Sequence, residues 1–167
     1  MRRLALAALV LVVACGERRQ EPAGESPPEA GDVAAVDMRN VAFATELGVD
    51  LDQMTESPEG VYYRDVREGT GSAIATGRTV NVEYKAWLPD GTLFDERPNQ
   101  EGFGLSEFIV GVSPPVPGLD PGMAGMRVGG VRRIVIPPER GYGLVGRPAG
   151  VPAGSPLIFE VRLISAS

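Results

Sequence analysis

Apolar and polar residues alternate most regularly between positions 79 and 95, and this stretch predicts a β-hairpin. The alternating residues are Val80, Val82, Tyr84, Ala86 and Leu88 on one side and Asn81, Glu83, Lys85 and Trp87 on the other. A period of two is typical of a half-buried strand. Pro89-Asp90-Gly91 predicts a turn in which Gly91 adopts a positive φ, and a second extended run returns to Asp95. One face of the hairpin therefore carries Tyr84 and Phe94 with a carboxylate at its edge.

Shorter apolar runs predict further strands on both sides of this hairpin. The runs are residues 61–66, 108–111, 131–136 and 157–163. The alternation in the last run predicts a core-facing set and an outward-facing set, because successive side chains of a strand point to opposite faces. The core-facing residues are Leu157, Phe159, Val161 and Leu163, and the outward-facing residues are Ile158, Glu160 and Arg162.

Helices are expected to be few, because the chain contains 22 Gly and 15 Pro. Apolar positions 38, 41, 43, 44 and 47 with Gly48 behind them predict a short helix, or otherwise a simple lead-in to the domain. Leu119, Met123 and Met126 recur at helical spacing and predict a helix that ends at Gly129-Gly130. The sequence thus predicts an α+β fold, with an antiparallel sheet of about five strands around one short α-helix.

The N-terminus has the features of a lipoprotein signal. Arg2 and Arg3 precede an apolar run at residues 4–14, which is too short to cross a bilayer core of about 30 Å. The run ends at Cys15, the only cysteine of the chain, in a context that resembles a bacterial lipobox. We expect a signal peptide over residues 1–14 and a lipid on Cys15, and the alternative is an ordinary secretory signal with a chance cysteine.

The remaining chain divides into three predicted parts. Residues 15–37 are rich in Pro, Gly and acidic residues and predict a disordered tether that holds the domain near a membrane. Residues 38–59 form a lead-in segment, and residues 60–167 form the folded domain, which we expect to be monomeric. The expected location is the periplasmic face of the cell envelope, with the outer membrane slightly preferred because no aspartate follows Cys15.

The chain is acidic, with a net charge of −6 at pH 7, and loss of Arg2 and Arg3 with the signal peptide would make it −8. Nucleic-acid binding requires clustered cations that neutralise phosphates, and electrostatic binding to anionic lipids also requires cations. We therefore expect no nucleic-acid partner, and membrane attachment only through the lipid on Cys15.

The residue types exclude several chemistries. The chain has no histidine, which excludes Ser-His-Asp and Cys-His catalysis and the imidazole ligands of common metal sites. Asp95 and Glu96 are neighbours on a strand and point to opposite faces. Residues 141–146 match G-x-G-x-x-G, but the Pro and Gly residues that follow prevent the helix that a dinucleotide site needs. No metal and no cofactor are predicted.

An apolar and aromatic set with one acid remains as the candidate site: Tyr84, Phe94, Asp95, Phe108, Val116, Leu119, Tyr142, Val151 and Phe159. Most of these residues are also expected in an ordinary core. Tyr142 differs because it lies in residues 137–156, a Gly- and Pro-rich segment that we name the flap. A large aromatic residue there has no strand to pack into, so its ring and hydroxyl are expected to face a ligand.

From about residue 60 onward, the order and spacing of several motifs resemble the FKBP-type peptidyl-prolyl cis/trans isomerases. The motifs include Asp90-Gly91-Thr92-Leu93-Phe94-Asp95, Phe108-Ile109-Val110-Gly111, Val116-Pro117-Gly118-Leu119, Ile134-Val135-Ile136-Pro137-Pro138, Tyr142-Gly143 and Pro156-Leu157-Ile158-Phe159-Glu160-Val161. The resemblance covers about two-thirds of the chain. It implies a curved antiparallel sheet wrapped on a short helix, and an enzyme that rotates X-Pro bonds of proline-containing polypeptides during folding without a cofactor.

The resemblance also implies a role for each site residue. The expected catalytic residues are Tyr84, Phe94, Asp95, Tyr142 and Phe159, and the expected substrate-binding residues are Phe108, Val116, Leu119 and Val151. The aromatic rings would wall a proline pocket with Leu119 as its floor, and the Val116 N–H would hold a substrate carbonyl. Asp95 and the Tyr142 hydroxyl would hydrogen-bond to the ligand or to each other.

Three positions depart from the family pattern. Leu119 stands where many members have tryptophan, Ser106 where an aromatic residue often closes the pocket, and Arg147 where some relatives have histidine. The first two bear on substrate affinity and immunosuppressant binding more than on isomerisation. Ser106 and Leu119 favour one alternative, a peptide-binding chaperone module with little isomerase activity. A further alternative is a non-enzymatic envelope lipoprotein that recruits a partner through the flap.

Rotation about an X-Pro bond faces a barrier of about 18–20 kcal/mol, most of it lost amide resonance, and requires no proton transfer. The planar amide is more polar than the twisted amide, so an apolar pocket should favour the twisted state. We expect Asp95 and Tyr142 to orient the substrate and to act as neither acid nor base. This expectation predicts a flat pH–rate profile between about pH 5 and pH 8.

Overall fold

The computed structural model describes residues 36–97, 106–147 and 150–167. Seven strands in these ranges form one antiparallel sheet: β1 (Thr55–Glu56), β2 (Tyr62–Arg67), β3 (Thr79–Trp87), β4 (Leu93–Arg97), β5 (Ser106–Ile109), β6 (Val131–Ile136) and β7 (Leu157–Ala166). Their order is β1-β2-β6-β7-β3-β4, and β5 also pairs with β3. The predicted fold class is confirmed. The sheet exceeds the expected five strands partly because β1 has two residues, too few for an alternation to be visible.

The hairpin predicted over residues 79–95 is present, and β4 continues it to Arg97. Buried and less buried residues alternate along β3, and Gly91 has a φ of 90° in the turn. β5 pairs with the first half of β3 and β4 with the second half, so both lie along the same edge of β3. Asp95 lies opposite Ala86 in this register, which places its side chain on the face that carries Tyr84.

One helix, α1 (Leu119–Met123), packs against β6 on the core side of the sheet. It ends at Met123, with Ala124 as its C-cap, so the expected end at Gly129-Gly130 was wrong. Ala124 leaves the helical region with a ψ of 130°, and Gly125 follows with a φ of 74°. Arg132 donates to the carbonyls of Gly122 and Ala124 at 3.2 and 2.8 Å, which satisfies acceptors that a longer helix would have bonded internally.

The lead-in segment covers the other face of the sheet. It forms three 3₁₀ turns, Met38–Asn40, Thr45–Leu47 and Leu51–Gln53, rather than the helix expected over residues 38–47. The extended backbone of Val41 interrupts the helical pattern, whereas Gly48 ends the second turn in the left-handed conformation as expected. Arg133 of β6 donates to the Leu47 carbonyl, so the segment is held by hydrogen bonding as well as by apolar contact.

This docking changes the burial of β7. Ile158, which the alternation placed outward, is fully buried in a cluster with Met38, Leu47, Tyr62 and Val135. The expectation failed because alternation assumes that the second face of the sheet is exposed to water. At this position β7 is instead covered on both faces.

Residues 1–35 lie outside the described ranges, and so do the predicted signal peptide, Cys15 and most of the predicted tether. Val36 and Asp37, assigned to the end of the tether, already contact the domain. The Val36 N–H donates to the Glu139 carboxylate at 3.1 Å, and Asp37 caps the first 3₁₀ turn. No helix within residues 36–97, 106–147 and 150–167 is long and apolar enough to cross a membrane.

Candidate active site

The sheet and α1 bring the predicted apolar residues into one cluster. Tyr84, Phe108, Val116, Leu119, Val151 and Phe159 are buried there, and Phe94 and Tyr142 are half-buried against it. Three strands contribute the rings at its centre. The ring centroids of Tyr84 and Phe159 are 5.7 Å apart, and those of Phe94 and Phe159 are 6.3 Å apart in an edge-to-face arrangement. These are favourable separations for aromatic pairs.

The turn before α1 places Val116 and Leu119 at this cluster. The Leu119 N–H donates to the Val116 carbonyl at 3.0 Å, and the Gly118 N–H donates to the Arg140 carbonyl at 2.8 Å. A Cβ atom at Gly118 would lie 2.3 Å from Ile136, so only glycine allows this approach to β6. Val116 is 1% exposed, and its N–H donates to no group in the described part of the chain.

A polar cluster lies at the edge of the aromatic rings. The Tyr84 hydroxyl donates to Asp95 Oδ2 at 3.1 Å, and Arg147 Nη1 donates to the same oxygen at 3.1 Å. The Arg147 guanidinium also lies 5.8 Å from the centre of the Tyr142 ring. Asp95 Oδ1 accepts no hydrogen bond from the residues that the structure describes.

This arrangement narrows the role expected for Tyr142. Asp95 and Tyr142 were expected to bond to a ligand or to each other, and the partners of Asp95 are instead Tyr84 and Arg147. A charged guanidinium is a stronger donor to a carboxylate than a neutral phenol is, so Arg147 takes this place. A hydrogen bond from the Tyr142 hydroxyl to a ligand stays a prediction.

The surroundings of Tyr84 and Arg147 fix the protonation states of these two residues of the polar cluster. Burial raises the pKa of the Tyr84 phenol, and the neighbouring Asp95 raises it further. The hydrogen bond to Asp95 raises the pKa of the Arg147 guanidinium. Tyr84 is therefore a neutral donor and Arg147 a cation throughout the neutral pH range.

Arg147 is the residue whose contact the sequence did not reveal. It stood out only as a departure from the family pattern, and its partner Asp95 lies 52 positions earlier in the chain. The flap fixes its backbone, because Arg147 and Val151 exchange N–H to carbonyl bonds of 2.8 and 3.1 Å. Gly146 turns the chain into this bridge with a φ of 67°, and a Cβ atom there would lie 2.4 Å from the Val151 carbonyl oxygen.

The site can bind an apolar ring and present several hydrogen-bonding groups at its edge. Among the residues described, no cluster of His, Cys, Asp and Glu side chains is arranged to hold a metal ion. An aromatic cluster with polar groups at its edge is the chemistry expected of a site that binds apolar groups.

The family model described as FKBP-type peptidyl-prolyl cis-trans isomerase matches residues 71–164. The chain therefore belongs to the FKBP-type peptidyl-prolyl cis-trans isomerase family, as the sequence motifs predicted.

Known relatives and a solved structure agree with this membership. The chain is 36% identical over 105 residues to the FK506-binding protein of Neisseria meningitidis serogroup B, and the match covers 63% of this chain and 94% of that protein. It is 33% identical over 113 residues to FK506-binding protein 4 of Rhizopus delemar, covering 68% of this chain but only 29% of that longer protein. The crystal structure of a peptidyl-prolyl cis-trans isomerase from Pseudomonas syringae pv. tomato matches with a TM-score of 0.60 and 29% identity, over 68% of this chain and 80% of that one.

Proposed function

We propose that this protein catalyses the cis/trans isomerisation of X-Pro bonds in polypeptides of the cell envelope and so assists their folding. The observation that carries the proposal is the convergence of three aromatic rings, Tyr84, Phe94 and Phe159, beside the hydrogen bond from Tyr84 to Asp95. Membership of the isomerase family supports the same activity.

The proline ring of the substrate enters the aromatic cluster, with Leu119 as the floor and Phe108 and Val151 beside it. These three side chains are apolar and buried, so they offer no hydrogen-bond partner to the amide nitrogen. Moving the amide from water into these apolar surroundings raises the free energy of the planar, more polar form more than that of the twisted form. Desolvation therefore lowers the barrier to rotation.

Hydrogen bonds at the pocket edge orient the substrate. The Val116 N–H, which has no partner among the described residues, holds a substrate carbonyl, and Asp95 Oδ1 accepts from a substrate N–H. The Tyr142 hydroxyl bonds to the peptide from the flap. A rate gain of about a million requires roughly 8 kcal/mol of transition-state stabilisation, which desolvation shares with these contacts.

The activity is tested by comparing Phe94→Ala with Leu93→Ala in the full chain. Phe94 packs against the buried cluster, whereas its neighbour Leu93 is 44% exposed on the same strand. We expect wild type and Leu93→Ala to accelerate isomerisation of X-Pro peptides equally, with large apolar X favoured. Phe94→Ala should lower kcat/KM by about 10- to 100-fold, because one wall of the pocket is lost. A folded wild type that accelerates no X-Pro peptide would overturn the proposal.

The envelope location rests on the sequence of residues 1–15. Cys15 carries the lipid after removal of the signal peptide, and the tether holds the domain off the membrane. Expression in a bacterium fed labelled palmitate should label wild type and not Cys15→Ser. Equal labelling of the two, or release of wild type from membranes by salt alone, would contradict a lipid anchor.

A second candidate function is a peptide-binding chaperone with little turnover. It is favoured by Leu144 and Val145, which follow Tyr142 in the flap, are 57% and 91% exposed, and offer apolar contact to an unfolded chain. A Leu144→Ser/Val145→Ser variant that keeps its isomerase rate but no longer suppresses aggregation of a denatured protein would support this function. Equal suppression by the variant and wild type would count against it.

A further inference from the structure

Phe94 and Asp95 are neighbours on β4, yet both side chains contribute to the pocket. The Phe94 ring lies edge-to-face against Phe159 with the centroids 6.3 Å apart, and Asp95 Oδ2 accepts a hydrogen bond from the Tyr84 hydroxyl at 3.1 Å. Successive residues of a regular strand point to opposite faces of the sheet. The strand therefore departs from regular geometry at this position.

The departure is a shift in the pairing of β4 with β3. Asp95 lies opposite Ala86, whereas Leu93 lies opposite Trp87, the next residue of β3. Phe94 is thus an extra residue of β4 with no counterpart on β3. A β-bulge of this kind redirects side chains and often occurs beside active sites. The directions of the Phe94 and Asp95 side chains therefore depend on how the end of β3 is held.

The lead-in segment holds this end of β3 from the other face of the sheet. Ala86 is buried in the core on the pocket side, so Trp87 beside it points away from the pocket. There Trp87 packs against the apolar cluster that includes Met38 and Leu47 of the lead-in segment. The bulge therefore has the pocket on one face and the docked segment on the other.

A direct hydrogen bond joins the same segment to the turn between β3 and β4. The Ala44 N–H donates to the Pro89 carbonyl at 2.7 Å. The two parts of the chain lie in close contact, since a Cβ atom at Gly91 would lie 3.4 Å from Ala44 Cβ and 2.7 Å from Glu46 Oε1. Both the strand end and the turn next to the bulge are therefore held by the lead-in segment.

We propose that the lead-in segment positions Phe94 and Asp95 for catalysis, with Trp87 and the Ala44 N–H as the positioning groups. This role rests on the proposed isomerase function and assigns a part in it to residues outside the family match, which begins at residue 71. Contacts that form best in the transition state weaken when a pocket wall moves, so loss of this support should lower kcat more than it raises KM.

Ala44→Pro in the full chain removes the hydrogen bond with little other change. Proline lacks the N–H that binds Pro89, and the φ of −59° at Ala44 suits a proline ring. For an X-Pro peptide with large apolar X, we expect kcat to fall about 5- to 20-fold and KM to change less than about threefold. Ala44→Ser keeps the N–H and should retain most of kcat.

Trp87→Ala tests the strand end, and Met54→Ala is its matched control. Met54 packs against the same apolar cluster but precedes β1, which pairs with β2 at the far side of the sheet. At a temperature where circular dichroism shows every variant to be folded, Trp87→Ala should lose kcat and Trp87→Phe should recover most of it. Met54→Ala should stay within about twofold of wild type.

Fluorine NMR of the chain labelled with fluorophenylalanine follows the pocket wall without the reaction. The Phe94 resonance, assigned by comparison with Phe94→Leu, should shift or broaden in Ala44→Pro and remain unchanged in Met54→Ala. The Phe108 resonance should remain unchanged in both variants, because Phe108 lies on β5, which pairs with the other half of β3.

The outcomes separate the positioning role from the proposed function. If wild type is active and the folded Ala44→Pro and Trp87→Ala variants keep its kcat, the positioning role is wrong and the isomerase function stands. An equal loss of kcat in Met54→Ala, or an unchanged Phe94 resonance in Ala44→Pro, would overturn the role in the same way. If a folded wild type accelerates no X-Pro peptide, the isomerase function itself is wrong.

Discussion

Two salt bridges between arginine and aspartate differ in how many of their N–H donors remain free for another molecule. Arg132 is 6% exposed and pairs with Asp65 through two nitrogens at 2.8 and 2.9 Å, while its third nitrogen binds two carbonyls at the end of α1. Arg147 is 39% exposed and reaches Asp95 through one nitrogen. Every guanidinium nitrogen of Arg132 is hydrogen-bonded, and these bonds join β6 to β2 and to the end of α1. Arg147 keeps N–H donors that another molecule can bind.

The two pairs act in different places. Arg132 also lies 4.5 Å from the centre of the Tyr63 ring, so its surroundings are complete within the protein itself. The pair at Arg147 lies beside the aromatic pocket, where a ligand can complete it. The buried pair should therefore contribute more to stability than the exposed pair does.

The largest effect is expected from Arg132→Met, which leaves Asp65 and two helix carbonyls without their donor. Breaking a buried pair typically costs about 3–5 kcal/mol, and because Asp65 is about a third exposed we expect a loss near 3 kcal/mol. Urea unfolding at pH 7 measures this loss. A loss no greater than that of Arg147→Met would show that the two pairs are equivalent and would break the comparison.

An intermediate effect is expected from Tyr84→Phe, which removes one of the two donors to Asp95. A hydrogen bond to a charged group contributes about 1.5–3 kcal/mol when buried, and we expect about 1 kcal/mol at this carboxylate, which is 26% exposed. Comparison with Phe94→Leu, which changes the same site without touching the hydrogen bond, separates this contribution from packing.

The difference in stability between wild type and Tyr84→Phe should change with pH in a known direction. Burial and then Asp95 raise the pKa of the Tyr84 phenol above 10.0, so the folded state holds this proton more tightly than the unfolded state does. The stabilisation is fully present below pH 10 and is lost as the pH rises through the folded-state pKa. Between pH 9 and pH 11 wild type should lose more stability than Tyr84→Phe. Parallel curves would mean that Tyr84 is not the group responsible, since the raised pKa of Tyr62 affects both proteins alike.

The smallest effect on stability is expected from Arg147→Gln. Partly exposed salt bridges contribute about 0–1 kcal/mol, so the free energy of unfolding should change by less than about 1 kcal/mol and depend little on salt. The same denaturant titration checks it. A loss of several kcal/mol would place Arg147 among the residues that hold the fold and would remove the contrast with Arg132.

Local pattern was sufficient to predict the hairpin, the aromatic set and the family. A period of two along β3 identifies which side chains share a face, and the pairing of β3 with β4 and β7 then brings Tyr84, Phe94 and Phe159 together. These residues were predicted because each lies in a regular strand whose inner face is buried. Gly48 and Gly91 were predicted for a related reason, since both take the positive φ that a turn demands.

The predictions that were wrong, and the contact that was missed, have a different physical cause. In each case distant parts of the chain are in contact. Ile158 is buried by the lead-in segment, more than a hundred positions earlier, and no pattern within β7 reveals that cover. Arg132 replaces the internal bonds of a longer helix, and Arg147 crosses 52 positions to Asp95. A single arginine in a glycine-rich loop belongs to no periodic pattern. Its partner therefore could not be predicted from the sequence and is seen only in the folded structure.

The most direct test of the central claim is kcat/KM for an X-Pro peptide catalysed by the wild-type chain, measured from pH 5 to pH 8. We predict catalysis at a constant rate across this range, because rotation in the apolar pocket requires no proton transfer and the pKa values of Tyr84 and Arg147 are raised away from neutrality. A bell-shaped profile with a pKa near 6, or no catalysis by the folded protein, would contradict it.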